Sequence, residues 1–457
     1  MARPLTNADF DARERFILAK LEVYFDGLAS APIVVNRDDF LIDFTMLEET
    51  GAESENPVGA ISANELTFTL YNPNRIFSPS NPDSPYAGKI NINVPVRAYI
   101  SVEDTTEEAE WLLLGTFYVD TWDTSIGTSV VNVSCTDRLR RILEQPMPAL
   151  RVMVNETYAA FFRRIFVALG ISLTDIIIDS TLDKMLKYSF NNDGLVIDTL
   201  QPIAEAAMCY IYMGRDNKIH IVDMLNDSVP VATFADTNQV KTVTIPQSIL
   251  KTYSTVELIY SMPNISPDIV VLSIANASFV PGIGHLNRYK VSQGPVYSYS
   301  YLSISEAQTS TIADMHCNSW EVSLDTKNTS SAPETADISV IGNVIYANQT
   351  TIERQNPAAI ATIGIKPFSL TNLFVQDTNY ANQYADILLN FITCDVPIIE
   401  IDARGNPLVL LCDTVLLQDD THEVVYTTKV IRTEYRYDGG LTCNYTLLNT
   451  EVLGGEE

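Results

Sequence analysis

The chain has 457 residues with 29 basic and 57 acidic side chains, a formal net charge of −28. Its hydrophobic content of 46%, with 19 glycines and 22 prolines, excludes a disordered or fibrous chain, and the length suits about three or four domains with ample core. So acidic a surface also excludes one built to seize nucleic acid, which needs clustered Lys and Arg; its plainest role is to keep the protein soluble.

Nothing marks a membrane or secreted protein. The start, Met1 to Phe10, has no apolar core of a signal peptide, and no apolar run reaches the roughly 18 residues of a membrane span. Cys135, Cys209, Cys317, Cys394, Cys412 and Cys443 lie far apart without a CxxC pair and read as reduced core residues. Sequons such as Asn155-Glu156-Thr157 read as chance matches in a cytosolic-type polypeptide.

Along the chain, residues 18–145 read as one β domain. Leu21, Val23 and Phe25 alternate with Lys20, Glu22 and Tyr24, the mark of a half-buried strand. The acidic loop Glu48 to Glu55 precedes a strand in which Leu66, Phe68 and Leu70 face one way and Glu65, Thr67 and Thr69 the other. Asn72-Pro73, Ser78-Pro79, Asn81-Pro82 and Ser84-Pro85 then predict an extended connection without a ladder. Strands follow at Val94 to Val102 and Trp111 to Trp122.

After Pro146-Met147-Pro148, Tyr158, Phe161, Phe162, Ile165, Phe166 and Leu169 recur at helical spacing, with Asn155 as N-cap and Gly170 as the C′ glycine. That aromatic stripe is core. A second helix ends near Met208 with Pro202 early in it and Asp198 or Thr199 as cap. Tyr210 to Met213 and Lys218 to Asp223 form a hairpin around Gly214-Arg215-Asp216-Asn217.

From Val231 to about Ile365 the pattern is β-rich, with strands at Val240 to Val243, Thr255 to Tyr260, Ile269 to Ile274 and Ile338 to Tyr346. The Ser/Thr/Asn-rich stretch Ser292 to Thr335 predicts long hairpins or an inserted loop. A helix from about Asn379 to Ile392 presents Ala381, Tyr384, Ala385, Leu388, Leu389 and Phe391. Strands at Val396 to Ile401, Leu408 to Leu411, Thr414 to Gln418, Val424 to Tyr437 and Leu441 to Leu448 close the chain, the last two joined by Asp438-Gly439-Gly440. No repeat of fixed period is present.

Catalytic signatures are missing. His220, His285, His316 and His422 include no pair at i, i+4, and His316-Cys317, if in a strand, point apart. Gly282-Ile283-Gly284 lacks the rest of a dinucleotide fingerprint, and Asp216-Asn217-Lys218 is too short for a calcium loop. No catalytic residue, metal ligand or cofactor is expected.

The phrases Glu65 to Lys89, Trp111 to Trp122 and Thr136-Asp137-Arg138-Leu139 resemble the opening β domain of the hub proteins at the tip of bacteriophage tails and related contractile injection particles. Leu200-Gln201-Pro202-Ile203-Ala204-Glu205-Ala206, then Gly405-Asn406-Pro407-Leu408, Cys412-Asp413-Thr414-Val415 and Tyr437 to Thr442, continue the likeness in order. The resemblance implies a mainly β, α+β chain. Its divisions would be a barrel-like hub domain (1–145), a helix–helix–hairpin module (146–230), a β-rich part with a Ser/Thr-rich insertion (231–370), and a helix with closing strands that complete a second barrel-like domain (371–457).

It further implies a homotrimer, joining a sixfold tail tube to a threefold tip in the virion after assembly in the host cytoplasm. Partners would be the tube or distal tail protein, the tape measure and a tip, spike or lysin protein, with genome DNA passing through unbound; the charge of −28 per chain predicts that acidic side chains line that opening. The chain stops soon after its last strand, so any enzymatic tip is expected on another polypeptide. The rival is a host-surface carbohydrate binder in the stretch Tyr289 to Ser323, with Tyr297, Tyr299, Tyr301 and Trp320 to stack on sugars, although tyrosines that alternate on one strand face more often pack; a tail hydrolase is disfavoured by the missing signature.

Overall fold

The computed structural model describes residues 3–450 apart from 13, 52–57, 104–109, 125–128, 227, 236–239, 246–252, 306–308, 395–397 and 420–423. The expected signal-free start, most of the acidic loop, the turn holding His422 and the terminal glycines lie partly or wholly outside the described residues.

A short helix α1 (Asn7–Asp11) leads into β1 (Ile17–Val23), β2 (Ile33–Asn36), β3 (Leu41–Glu49), β4 (Ala60–Ile61), β5 (Glu65–Tyr71), β6 (Pro95–Val102), β7 (Leu112–Thr124) and β8 (Val130–Thr136). A module follows: α2 (Arg138–Leu143), β9 (Met153–Thr157), α3 (Tyr158–Ala168), β10 (Ile176–Ile178), β11 (Met185–Ser189), α4 (Val196–Ala207), β12 (Cys209–Met213) and β13 (Ile219–Asp223). Then come β14 (Ala232–Ala235), β15 (Val240–Thr244), β16 (Thr255–Ile265), β17 (Ile269–Phe279), β18 (Gly282–Lys290), β19 (Val296–Ser305), β20 (Ser310–Cys317), β21 (Glu321–Asn328) and β22 (Glu334–Gln355). The chain closes with α5 (Pro357–Ile363), β23 (Pro367–Asn372), α6 (Thr378–Thr393), β24 (Ile398–Ala403), β25 (Thr414–Asp419), β26 (Val424–Tyr437) and β27 (Leu441–Asn449). The protein is mainly β, as its alternating patterns predict.

Three local expectations are corrected. Asn155 lies within β9 but is skipped in its pairing: β11 stands opposite Met153, Val154, Glu156 and Thr157, and Asn155 between them takes φ +54°; the α3 cap is Thr157, whose Oγ1 accepts Ala160 N–H at 3.1 Å. Pro202 stands in mid-helix, because α4 already starts at Val196. The Asp198 carbonyl that its missing N–H leaves free accepts Asn192 Nδ2 at 2.7 Å, which removes the main penalty of an interior proline. Leu408 to Leu411 form no strand: Asn406 Oδ1 accepts Leu408 N–H at 3.1 Å and the Asp413 carboxylate accepts Leu410 N–H at 2.8 Å, so side chains take donors that a ladder would use.

The largest sheet runs β15-β24-β27-β26-β3-β5-β8-β7-β6-β1-β2, every neighbour antiparallel, with β25 added to β26 and β14 parallel to β25. The β26–β3 pairing sets Tyr435 opposite Met46 and Tyr437 opposite Phe44, and so joins strands from the two ends of the chain. One face is apolar: Leu21, Val96, Phe117, Val133, Leu66, Phe68, Phe44, Tyr435, Tyr445, Ile399 and Ile401 are all buried.

The two parts of this sheet repeat one plan in the same chain order. In the first, β3 pairs β5, β5 pairs β8, β8 pairs β7 and β7 pairs β6; in the second, β15 pairs β24, β24 pairs β27, β27 pairs β26 and β26 pairs β25. The irregularities coincide too. β3 carries a bulge between Leu41 and Asp43, and β15 one between Val240 and Thr242; β7 shifts register between Val119 and Thr121, and β26 between Val430 and Arg432. Bulges fix where a strand bends, so shared bulges mean shared curvature. The repeat ends beyond β6, which binds β1 antiparallel, whereas β25 binds β14 parallel.

Between β15 and β24 the chain builds the sheet β17-β22-β16-β23 with β19 on β22, the three-stranded sheet β18-β21-β20, and α6. The long strand β22 pairs with β16 over residues 345–355 and with β17 over 334–342. Its first half belongs to an insertion with a core of its own, in which Val271, Phe279, Val322, Leu324, Ile338 and Val340 are buried. The Ser/Thr-rich stretch is therefore strands of a packed insertion.

Candidate assembly surface

The face of the large sheet opposite its core is polar, and the register shows its rows. Thr45, Thr67, Ser134 and Thr121 line up across β3, β5, β8 and β7; Asp43, Thr69, Asn132 and Asp123 form the next row. On the C-terminal part Arg436 and Thr442, Glu434 and Asn444, and Arg432 and Thr446 pair across β26 and β27, continued on β24 by Asp402 and Glu400. Away from the bulges, alternation puts these polar side chains on one face, because core residues such as Phe44, Met46, Leu66, Phe68, Val133 and Tyr435 stand between them.

Acids outnumber bases on this face, and the bases are engaged. Lys20 Nζ sits 3.1 Å from Glu22, Arg432 lies 3.6 Å from Glu49 and 3.2 Å from Glu434, and Arg436 reaches Glu434 at 2.5 Å. Arg97 stacks over the Tyr24 ring. Lys241 lies 3.9 Å from Asp402; Asp43, Glu65, Asp123 and Glu400 stand besides, so the face carries a net negative charge over a ground of hydroxyls.

Buried polar nodes fix the sheet to the rest of the molecule. Glu48, on the core side of β3, accepts Arg215 Nε at 2.8 Å and Nη2 at 2.5 Å, and Thr433 Oγ1 at 3.2 Å; Arg215 also donates to the Pro407 carbonyl. Burial alone would lower the guanidinium's pKa, but Glu48 overrides it and lifts it further. This pair ties β3, the β12–β13 turn, β26 and the loop before β25 into one unit.

A second node is Asp137, the N-cap of α2, 1% exposed. Its carboxyl accepts Asn64 N–H at 2.7 Å and Leu139 N–H at 2.8 Å, while Asn64 Nδ2 donates to the Met213 carbonyl at 2.7 Å. Burial pushes its pKa up to about 7, against the pull of those backbone donors. A third is Arg15, which donates to the carbonyls of Phe10 (2.7 Å), Gly405 (2.8 Å) and Leu441 (3.1 Å) and docks the N-terminal segment on the 403–407 turn.

The proline-rich stretch makes no ladder, as expected, but it is not extended: Pro73–Arg75 form a 3-10 turn, and the N–H groups of Asn81, Ser84 and Ala87 donate to the carbonyls of Ser78, Asn81 and Ser84 in successive turns. Phe77 is buried, stacks on Tyr86 at 5.6 Å and accepts Trp122 Nε1 at its carbonyl at 2.7 Å. Tyrosines likewise serve inside the subunit: Tyr380 and Tyr384 of α6 donate to the Ala206 and Glu205 carbonyls at 2.6 and 3.0 Å, closing the C-terminal end of α4.

The residues weighed for chemistry stay apart. His220 Nε2 lies 3.0 Å from Asp216, and His316 Nε2 lies 3.2 Å from Asp314 on an exposed strand. Among the described residues no group of three His, Cys, Asp or Glu is placed to hold a metal ion, and no helix is long and apolar enough to cross a membrane. The described cysteines are all free thiols, as expected.

The tyrosines of β19 do not share a face. A bulge sets Tyr299 opposite Gly342 and Tyr301 opposite Ile341, consecutive residues that point oppositely. Tyr297 packs edge-on to Tyr188, and Trp320 Nε1 donates to the Asn191 carbonyl at 2.5 Å, docking the insertion on the helical module. A stacking platform of these four rings is thereby dismantled.

No family model matches this sequence, and no curated protein matches it. Solved structures do. The 43 kDa tail protein of prophage MuSo2 from Shewanella oneidensis superposes with a TM-score of 0.52 at 10% identity, covering 96% of this chain and 100% of that one. The tail protein from Neisseria meningitidis MC58 gives 0.55 at 9% identity over 96% and 98%. Over nearly its whole length the chain has the fold of phage tail proteins. The resemblance read from its phrases thus holds at the level of fold.

Proposed function

We propose that the chain is a structural subunit of a phage tail: the homotrimeric hub that joins the sixfold tube to the threefold tip. The observation that carries this reading is the repeated strand plan within one sheet. Two equivalent parts per chain, taken three times about an axis, present six similar units to a sixfold tube and three chains to the tip. The full-length likeness in fold to two tail proteins supports the same reading.

On this reading the partners are the tube or distal tail protein, the tape measure and a tip or lytic protein. Genome DNA passes the polar face without being held, and the chain itself has no catalytic step. Light scattering on the purified protein tests it: the expected mass is three times the 50.7 kDa of one chain. A lone monomer or a closed dimer at every concentration overturns it.

A further inference from the structure

We propose that the surface around Arg151 and Arg163 on the helical module of one copy docks on the β23-β16-β22 sheet face that carries Glu257 and Glu353 on the next. Three such contacts close the ring. The inference rests on the hub reading for its trimer and goes beyond it by naming the two surfaces that meet.

Charge points to the donor surface. From α2 to β13 the module balances 10 basic against 10 acidic side chains, whereas the rest of the chain holds 19 against 47. An acidic subunit can therefore approach the module without the repulsion it meets elsewhere. Five of the module's arginines are taken: Arg138 by Asp175, Arg140 by Glu144, Arg141 by Asp120, Arg164 by Glu156 and Arg215 by Glu48. Arg151 and Arg163 are both exposed, and neither meets a carboxylate among the described residues. Arg164 joins their places, being next to Arg163 and donating from Nη1 to the Arg151 carbonyl at 2.7 Å. Met153, two residues beyond Arg151, and Val167, one helical turn beyond Arg163, are exposed as well. Arginine and methionine are enriched where subunits meet.

The acceptor surface has the opposite want. The β16–β22 register sets Glu257 directly opposite Glu353. Like charges so placed repel each other, and neither meets a cation among the described residues. Ser369 Oγ donates to Glu257 at 2.7 Å, while Arg354, next along β22, turns to Asp386 on α6. Alternation puts both carboxylates on the face away from α6, because Val256, Leu258 and Ile352 beside them are core. That face is otherwise uncharged across the three strands, with Thr351, Ile259 and Thr371 forming the row beside the acids. A guanidinium from outside would relieve the pair, since its fork of donors suits carboxylate oxygens. Donor and acceptor are different surfaces, so the contact is head-to-tail and closes into a ring when the rotation allows.

Charge reversal on the full chain tests this. Arg151→Glu with Arg163→Glu, or Glu257→Lys with Glu353→Lys, should raise the concentration at which the trimer half-dissociates at least about tenfold, read by light scattering. All four changes together should restore assembly to within about threefold of the natural protein, because the charges have only changed places. A conservative variant, Arg151→Lys with Arg163→Lys, gives the second measurement. In it a carbodiimide should couple the new amines to Glu257 or Glu353 of another copy, producing covalent dimers and trimers joined at those residues. A trimer untouched by either reversal, or a fourfold variant no better than the two doubles, overturns the contact and leaves the hub reading intact. Where a reversal variant fails to fold, a trimer of the conservative variant without that cross-link overturns it instead. A natural protein that stays monomeric overturns both.

Discussion

Asp137 is a buried carboxyl held by backbone donors, and this setting gives its titration a sign. Its ordinary value of 3.8 is pushed up to about 7, burial outweighing the N–H groups of Asn64, Leu139 and Arg140. The folded state therefore holds the proton more tightly than the unfolded chain. The stability this contributes is complete below about pH 4 and is lost as pH rises through 7. Each tenfold gain in proton affinity is worth about 1.36 kcal/mol, so the effect is of order 1–4 kcal/mol over that interval. Self-repulsion of a chain with charge −28 also grows with pH, so the informative quantity is the difference from Asp137→Asn. Urea unfolding at pH 5 and pH 8 should show a smaller loss for the variant than for the natural protein, although the amide, facing Asn64 N–H, lowers stability at both. Equal losses would mean that Asp137 stays ionised in the folded state. Asp9 runs the other way: its bond to Arg3 holds it down at about 2, so its contribution is lost only as pH falls through that value.

At the scale of elements, the contact between β4 and α4 depends on a missing side chain. Gly59 has φ +60°, and a Cβ there would lie 2.3 Å from the Ala204 carbonyl oxygen and from Glu205 Cα. Backbone on backbone cannot give way as a side-chain tip does, so Gly59→Ala should cost roughly 2–4 kcal/mol. Gly88, at φ +75° with nothing within 4 Å of its Cβ site, sets the comparison: Gly88→Ala should cost only the left-handed strain of about 1–2 kcal/mol. Thermal unfolding of the two variants checks this, and equal shifts in Tm would refute the packing argument. Gly59 drew no notice in the sequence because its constraint comes from a helix some 145 positions away. What was legible was local: the alternation in β5, the stripe of α3, the face of α6 and the Gly214 to Asn217 turn all appear where periodicity put them. What was not legible was set by distant partners. Asn155 is an unpaired, positive-φ residue inside the β9–β11 pairing, and Leu408 to Leu411 are claimed by the side chains of Asn406 and Asp413. The sheet's repeat was hidden for a related reason. Leu66-Thr67-Phe68-Thr69-Leu70 and Ile399-Glu400-Ile401-Asp402-Ala403 share only the alternation of apolar and polar, which any half-buried strand shares. Only the bulges betray the kinship, and a bulge has no sequence signature here. The polar face was half legible: composition announced an acidic protein, but no count could say which carboxylates share a surface.

For the whole molecule, the hub reading has a polyanion pass the polar face, whose charge decides whether it is held. A duplex carries about one negative charge per 1.7 Å of its axis, and each Lys or Arg that meets a phosphate releases counterions and adds affinity. Here Lys20, Arg432 and Arg436 are held by Glu22, Glu49 and Glu434, so they are neutralised where they stand. Asp43, Glu65 and Glu400 add repulsion, which solution ions confine to a Debye length of about 8 Å at physiological salt. The face should then repel DNA at contact and ignore it further off, which suits passage without capture. Converting Asp43, Glu65 and Glu400 to Lys together tests this, because all three lie on the exposed side of strands where substitutions change stability by about 0.5 kcal/mol or less each. The natural protein should leave a short duplex unbound in fluorescence anisotropy at physiological salt. The triple variant should bind it, with a slope of log affinity against log salt near −0.9 for each phosphate neutralised. If the natural protein binds the duplex as tightly as the variant, with the same salt slope, this face does not govern passage, and the chain's carboxylates serve solubility alone.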